Sequence, residues 1–318
     1  MFFNEYLMEV SNMAKCFKRM VTAVGVAAGI TIGLWAGTKL TKETKVRDIK
    51  PYFKQRSPYI FAHRGGMGLA PEHTRIAFDK ATEFNVEGFE IDIRLTKDEE
   101  IVVFHDAYVD RTSNGAGKVS NLTLADLKEL DFGYHFTDVE GNHPYRGHDK
   151  AKIITLRELI EEYPGTLINL DIKDDPETYA GSLVPSLLYR LITELGAEDR
   201  ILVTSFHDSQ IKQFNLYAEG KVALGAGVDQ VSRAFFLHRS GFGHMYEPAA
   251  DTFQIPVEYN GIHLDTPRFI EFLTSLNIAV GYWNINKMDK MDELIQKGAH
   301  TIVTDYPDIS YHLLKERY

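Results

Sequence analysis

From residue 58 almost to the C-terminus, short apolar runs alternate with stretches of helical periodicity. The strand-like runs are "YIFAH" near 59, "GFEIDI" near 88, "EIVVFH" near 100, "TLINLDI" near 166, "RILVTS" near 200, "KVALGA" near 221, "TFQIPV" near 252, "IAVGYW" near 278 and "HTIVTD" near 300. They suffice for eight strands and one extension. Helical spacing appears in "TRIAFDKATEF", "TLRELIEEY", "YAGSLVPSLLYRLITEL", "DSQIKQFNLY", "RFIEFLTSL" and "MDKMDELIQK". Pro185, inside the third of these, either kinks the helix or marks its first turn. The alternation predicts an α/β protein with a parallel sheet. Between Asp106 and Lys152 it fails: "SNGAG" and "GNHPYRGHDK" flank a single helix at "TLADLKEL", the profile of an insertion.

Two strands carry a charged face. In "FEIDIR", Phe89, Ile91 and Ile93 point one way while Glu90, Asp92 and Arg94 point the other; in "NLDIK", Leu170 and Ile172 oppose Asn169, Asp171 and Lys173. Strands of a parallel sheet bury both faces, so packing alone does not account for these charges. Glu90, Asp92 and Asp171 together would repel one another unless a cation compensates them. Their hard oxygens suit Ca²⁺ or Mg²⁺; an ion-pair cluster with Arg64, Arg94 and Lys173 is the competing reading.

His63 closes the first strand and His105, followed by Asp106, closes "IVVFH". Both stand at carboxyl ends of strands, where barrel enzymes keep their active sites. Two imidazoles titrating near 6.5 can exchange a proton as general base and general acid. Arg64 offers a planar donor fork matched to phosphate oxygens, and Gly65 and Gly66 allow close backbone approach or a simple tight turn.

Composition narrows the partners. The 318 residues carry a net charge of −10, which argues against nucleic-acid binding through phosphate neutralisation. A single cysteine, Cys16, rules out an intramolecular disulfide and a cysteine-built zinc site. At 44% hydrophobic, the chain supports one large core, as in a β/α barrel of about 250 residues.

The N-terminus reads as a tail (1–19), a transmembrane anchor (20–38) and a basic linker (39–57), followed by the folded domain (58–318). The uncharged run would nearly span the roughly 30 Å of bilayer hydrocarbon as a helix. A cleaved signal peptide competes, but the run exceeds the usual length and lacks a clear cleavage site. Gly25, Gly29, Gly33 and Gly37 share a helix face, which either pairs two anchors or reflects ordinary membrane-helix composition. Cations flank the run on both sides, more after it than before, and leave the side of the catalytic domain undecided. Asn121, in "NLT", is an incidental glycosylation match.

The motifs "HRGGMGLAPEHT", "FEIDIRLTKDEEIVVFHDAYVDRTSNGAG", "NLDIK", "YWNIN" and "IVTDYP" resemble, in order, those of the glycerophosphodiester phosphodiesterases. The resemblance implies a TIM (β/α)8 barrel and metal-dependent cleavage of a glycerophosphodiester to glycerol 3-phosphate and an alcohol. It implies His63 and His105 as the acid/base pair, Arg64 as a phosphate contact, and Glu90, Asp92 and Asp171 as ligands of Ca²⁺ or Mg²⁺. It also implies Glu72 and Lys173 as further polar site positions, Trp283 as an aromatic wall, and an insertion covering the substrate's glycerol side. The chain departs from the family pattern at His73, where the family writes Asn, and at Asp171, where it writes Glu. Alternatives of the same chemistry or fold are a lysophospholipase D, and a non-catalytic, membrane-tethered binder of phosphate headgroups.

Overall fold

The computed structural model describes residues 44–317 together with Trp35, Thr38 and Lys39. The expected tail and anchor, including Gly25, Gly29, Gly33 and Gly37, therefore lie outside the described residues apart from Trp35 and Thr38. Among the described residues no helix is long and apolar enough to cross a membrane.

Eight parallel strands form the sheet: β1 (Tyr59–His63), β2 (Gly88–Leu95), β4 (Leu167–Ile172), β5 (Ile201–Thr204), β6 (Ala223–Leu224), β7 (Thr252–Ile255), β10 (Ala279–Tyr282) and β11 (Thr301–Thr304). Their spatial order is β6-β5-β4-β2-β1-β11-β10-β7. The ends of this series meet. Gly225 bridges Thr252 in parallel, Ala226 N–H donates to Thr252 O at 2.9 Å, and Asp251 N–H donates to Leu224 O at 2.7 Å. The result is a nearly closed TIM-type barrel. The run "EIVVFH" is the extension: β3 (Ile101–Val103) pairs antiparallel to β2 and lies off the barrel path.

The helices that match the periodic segments are α1 (Arg75–Thr82), α2 (Leu124–Glu129), α3 (Leu156–Glu162), α4 (Tyr179–Glu194), α5 (Asp208–Ala218), α7 (Pro267–Thr274) and α8 (Met288–Gln296). Helix α3 starts on a reciprocal cap, Thr155 with Glu158. Pro185 lies inside α4, neither in its first turn nor ending it. The carbonyl of Gly181, four residues earlier, loses its usual donor there and accepts instead from Gln210 Nε2 of α5 at 3.0 Å.

Two helices and a hairpin were not expected: α6 (Val228–Arg239), α9 (Pro307–Arg317) and the antiparallel pair β8 (Glu258–Tyr259) and β9 (Ile262–His263). Helix α6 contains much of the aromatic stretch "AFFLHR". Its Ala234 is in the core and Phe235 is only partly buried.

Strand alternation holds as expected. Phe89, Ile91 and Ile93 are buried against the helices with Leu170, Ile172 and Val184, leaving Glu90 and Asp92 for the barrel interior. The insertion has its own small core of Val109, Val119, Leu127 and Phe132, capped onto Val102 and Phe104.

Part of the expected linker is docked. Tyr52, 2% exposed, joins Tyr59, Phe61, Leu202 and Val303 in an apolar cluster. Arg47 pairs with Asp251 at 2.5 Å just before β7, and Lys50 donates to the Gly220 carbonyl ahead of β6. These partners precede their strands, so residues 47–53 lie across the amino-terminal end of the barrel.

Candidate active site

The opposite, carboxyl-terminal end opens into a cavity of about 1320 Å³. Parallel register sets its inner face: His63 pairs with Glu90 across β1 and β2, while Glu90 and Asp92 pair with Asn169 and Asp171 across β2 and β4. A chain running hydrophobic through β1 thus delivers His63 and Arg64 where the wall ends. His63, Arg64, Glu90, Asp92, His105, Asp171, Lys173 and Trp283 all line this cavity. Glu72 does not; it is 7% exposed behind the wall, held by Arg64 at 2.8 Å and by Arg111 at 2.7 Å. Glu72, expected as a further polar position of the site, thus stands behind Arg64 and ties it to Arg111. Burial alone would raise its carboxyl, and Arg111 and Arg64 instead hold it down at about 2.

Each histidine is gripped at Nδ1 by a carboxylate. His63 Nδ1 lies 2.5 Å from Asp305 Oδ1, and His105 Nδ1 lies 2.6 Å from Asp106 Oδ1. Asn286 Nδ2 in turn donates to Asp305 at 2.6 Å, and Arg111 Nε donates to Asp106 at 2.6 Å. An imidazole bonded in this way keeps Nε2 for chemistry. The two rings are tuned in opposite senses. Burial lowers His63, but Glu90 and Asp305 outweigh it and raise the ring above its ordinary 6.5. For His105 burial prevails over Asp92 and Asp106 and brings it down to about 4.

Around Asp92 converge Lys173 at 3.1 Å, Arg64 Nε at 3.3 Å and His73 Nε2 at 2.9 Å. Burial would raise this carboxyl, yet Lys173, His105 and Arg64 hold it well below its ordinary value. Arg64 and His73 both adopt left-handed backbone, φ 51° and 58°, and His73 N–H donates to Arg64 O at 2.9 Å. The turn from 64 to 73 thus folds back so that both side chains reach one carboxylate. His73 bonds Asp92 rather than Glu72, and burial lowers its pKa.

Among the described residues no three His, Cys, Asp or Glu side chains converge as a ready metal cage. Lys173 bridges Asp92 and Asp171, the latter at 2.7 Å. The donor chemistry nonetheless fits a hard cation. Asp171 Oδ1 and Asn169 Oδ1 are buried without a hydrogen-bond partner. Burial and the neighbouring Asp92 push Glu90 up to about 7, the signature of a carboxylate short of positive charge.

Asp106, Arg111, Asn286 and Asp305 are site residues the sequence reading did not single out. All four lie inside motifs it did quote: "FHDAYVDR", "YWNIN" and "IVTDYP".

A barrel whose mouth holds two carboxylate-held imidazoles beside cations has the groups for acid/base hydrolysis of an anionic substrate. Residues 63–309 match the model of the "Glycerophosphoryl diester phosphodiesterase family", and the chain belongs to that family. Its activity is that of a glycerophosphodiester phosphodiesterase. It is 28% identical over 261 residues to "Glycerophosphodiester phosphodiesterase" of Caldanaerobacter subterraneus, covering 81% of this chain and 98% of the relative. It is 30% identical over 254 residues to a "Putative glycerophosphodiester phosphodiesterase" of Bacillus subtilis, covering 79% and 95%. Among solved structures, a glycerophosphoryl diester phosphodiesterase domain from Mycobacterium tuberculosis shares the fold with a TM-score of 0.68 at 20% identity, covering 81% of this chain and 99% of that one. An Oleispira antarctica phosphodiesterase solved with its product sn-glycerol-3-phosphate has a TM-score of 0.62 at 22% identity, covering 81% and 97%.

Proposed function

We propose that His63 and His105 divide the proton transfers of this hydrolysis, His105 as general base and His63 as general acid. The observation that carries the reading is their shared geometry with opposite tuning: both rings are held by a carboxylate at Nδ1, one raised above 6.5 and one lowered to about 4. At neutral pH His105 is then free to take a proton from the attacking water, and His63, the ring tuned upward, is the one disposed to give a proton to the departing alcohol. Arg64 and Lys173 face the phosphate as donors, and Trp283 forms an aromatic wall beside it.

Glu90, Asp92 and Asp171 would hold a divalent cation, Ca²⁺ or Mg²⁺, whose charge would stabilise the pentavalent transition state. The unpaired Asp171 oxygen and the raised Glu90 carboxyl favour it. His63→Ala and His105→Ala in the full chain should each abolish turnover of glycerophosphocholine while leaving the circular dichroism spectrum unchanged; wild-type rates in either variant sink the assignment. EDTA should silence the enzyme and Ca²⁺ or Mg²⁺ restore it, and turnover indifferent to EDTA removes the cation from this scheme.

The uncharged run 20–38 is proposed as a membrane anchor, supported by its length and apolar composition. Recovery of the expressed full chain in an alkali-washed soluble fraction would overturn it. Pairing through Gly25, Gly29, Gly33 and Gly37 would show as crosslinked dimers lost on Gly29→Ile. No observation favours the non-catalytic headgroup binder.

A further inference from the structure

The two ends of the barrel are covered differently. The carboxyl-terminal end is the open mouth of the cavity, lined by His63, His105, Lys173 and Trp283. The amino-terminal end is crossed by the segment that follows the uncharged run 20–38. Among the described residues, contact with the barrel begins inside that run. Trp35 Nε1 donates to Gly241 O at 2.8 Å, and Thr38 Oγ1 lies 2.9 Å from His244 Nε2. Lys39 Nζ stands 4.6 Å from the centre of the Trp35 ring. Further along, Lys45 meets Glu247 at 3.5 Å and Arg47 N–H donates to Leu276 O at 3.0 Å. Lys50 and Tyr52 then reach the Gly220 carbonyl and the apolar cluster of Tyr59 and Phe61.

Chain direction fixes which end these partners mark. Ala226, Gly227 and Val228 line the cavity, so α6 starts at the mouth and its 12 residues run away from it, a distance of about 18 Å. Gly241 and His244 lie just past the carboxyl end of α6, Leu276 just past that of α7, and Glu247 ahead of β7. All four stand at the rim of the amino-terminal end, on the far side of the barrel from the mouth. A tether with slack would let the folded domain turn freely beside whatever holds it. Thr38 lies inside the run and already touches the barrel, so none separates the two. A Trp followed by Lys is also what marks the level at which an apolar helix leaves a bilayer.

We propose that the amino-terminal rim of the barrel, from Gly241 to Glu247, faces the surface of a lipid bilayer and that the active-site mouth points away from it into water. This rests on the reading of residues 20–38 as an anchor. The docked segment 44–53 then lies between the barrel and the lipid, and the barrel itself stands between the lipid and the cavity. A chain held in this way takes its phosphodiester from solution although it is bound to a membrane.

The test places the full chain, with Cys16→Ser, in nanodiscs of phosphatidylcholine and phosphatidylglycerol and labels one new cysteine with a fluorophore. Lys221→Cys and Ala249→Cys report the amino-terminal end, both exposed ahead of β6 and β7; Asn121→Cys and Glu258→Cys report the mouth, both exposed and lining it. Two sites at each end guard against a label that perturbs its own surroundings. A nitroxide carried on the lipid headgroup should quench the labels at 221 and 249 several-fold more strongly than those at 121 and 258. Stronger quenching at the mouth overturns the orientation. Equal quenching at all four sites overturns it too, since the barrel would then turn freely on its tether. As a second readout, kcat/KM on dissolved glycerophosphocholine should be the same in nanodiscs as in detergent micelles, and a manyfold fall on entering nanodiscs places the mouth against lipid and overturns the proposal. A full chain that does not enter nanodiscs overturns the anchor and the orientation together, whereas insertion with the wrong quenching order spares the anchor.

Discussion

His63 Nδ1 and Asp305 Oδ1 lie 2.5 Å apart although 242 residues separate them in the chain. Barrel closure brings them together, because β1 and β11 pair in parallel from Tyr59 with Thr301 to Ala62 with Thr304. The next residue of each strand is His63 or Asp305. His105 obtains its carboxylate from the adjacent residue, Asp106, at 2.6 Å. One orienting contact depends on the whole fold and the other on a single dipeptide.

The opposite tuning of the two rings sets a pH profile. Activity needs His105 unprotonated and His63 protonated, so kcat/KM should rise as pH passes through about 4 and fall at a pH above 6.5. A profile recorded on glycerophosphocholine checks both limbs. An activity that keeps rising well beyond neutrality contradicts His63 as the acid.

Asp305→Asn removes a charge that raises His63 and weakens the hold on its Nδ1. The alkaline limb should move to lower pH while the acid limb, set by His105, stays in place. By comparison with other carboxylate-held histidines, kcat should fall on the order of 10²- to 10⁴-fold. Parallel movement of both limbs would mean that Asp305 acts on the site as a whole.

Glu72 links Arg64 to Arg111, and Glu72→Gln would break both pairs, leaving the buried Arg64 to share the Asp92 carboxylate alone. The loss should be about 3 kcal/mol, the low end for a broken buried pair, since Arg111 is 41% exposed and partly served by water. The carboxyl is depressed to about 2 from 4.5, so its contribution is fully present above 4.5 and fades as pH falls through 2. Denaturant unfolding should show the variant's deficit at pH 7 and its disappearance near pH 2.

Strand alternation made the charged inner faces legible before any coordinates: "FEIDIR" and "NLDIK" placed Glu90, Asp92, Asp171 and Lys173 on the same side, and register confirms their adjacency. Partners that meet only when neighbouring strands pair were not legible, because no local pattern ties Asp305 to His63 or Asn286 to Asp305. Helix α6 was missed for another reason. Its apolar positions serve two surfaces, the core through Ala234 and the cavity through Val228, Val231 and Phe235, so the single amphipathic stripe is blurred. The short hairpin β8–β9, two residues per strand, is below the length at which alternation can register.

The start of the folded domain shows the same limit. Residues 39–57 read as a polar linker because cations outnumber apolar side chains, yet Tyr52 is 2% exposed and its ring stacks 6.3 Å from Phe61 at the amino-terminal end of the barrel. Arg47 is equally committed, for it pairs with Asp251, a residue 2% exposed that also accepts from the Leu224 amide at the seam where β6 meets β7. Tyr52→Ala should therefore cost about 3–5 kcal/mol, as for other large aromatics removed from a core. Arg47→Met should cost about 3 kcal/mol by stranding the Asp251 carboxylate. A chain shortened to begin at Pro58 loses both contacts together and should unfold at markedly lower denaturant than one beginning at Thr44. Equal midpoints for the two truncations would return residues 44–57 to the status of a linker.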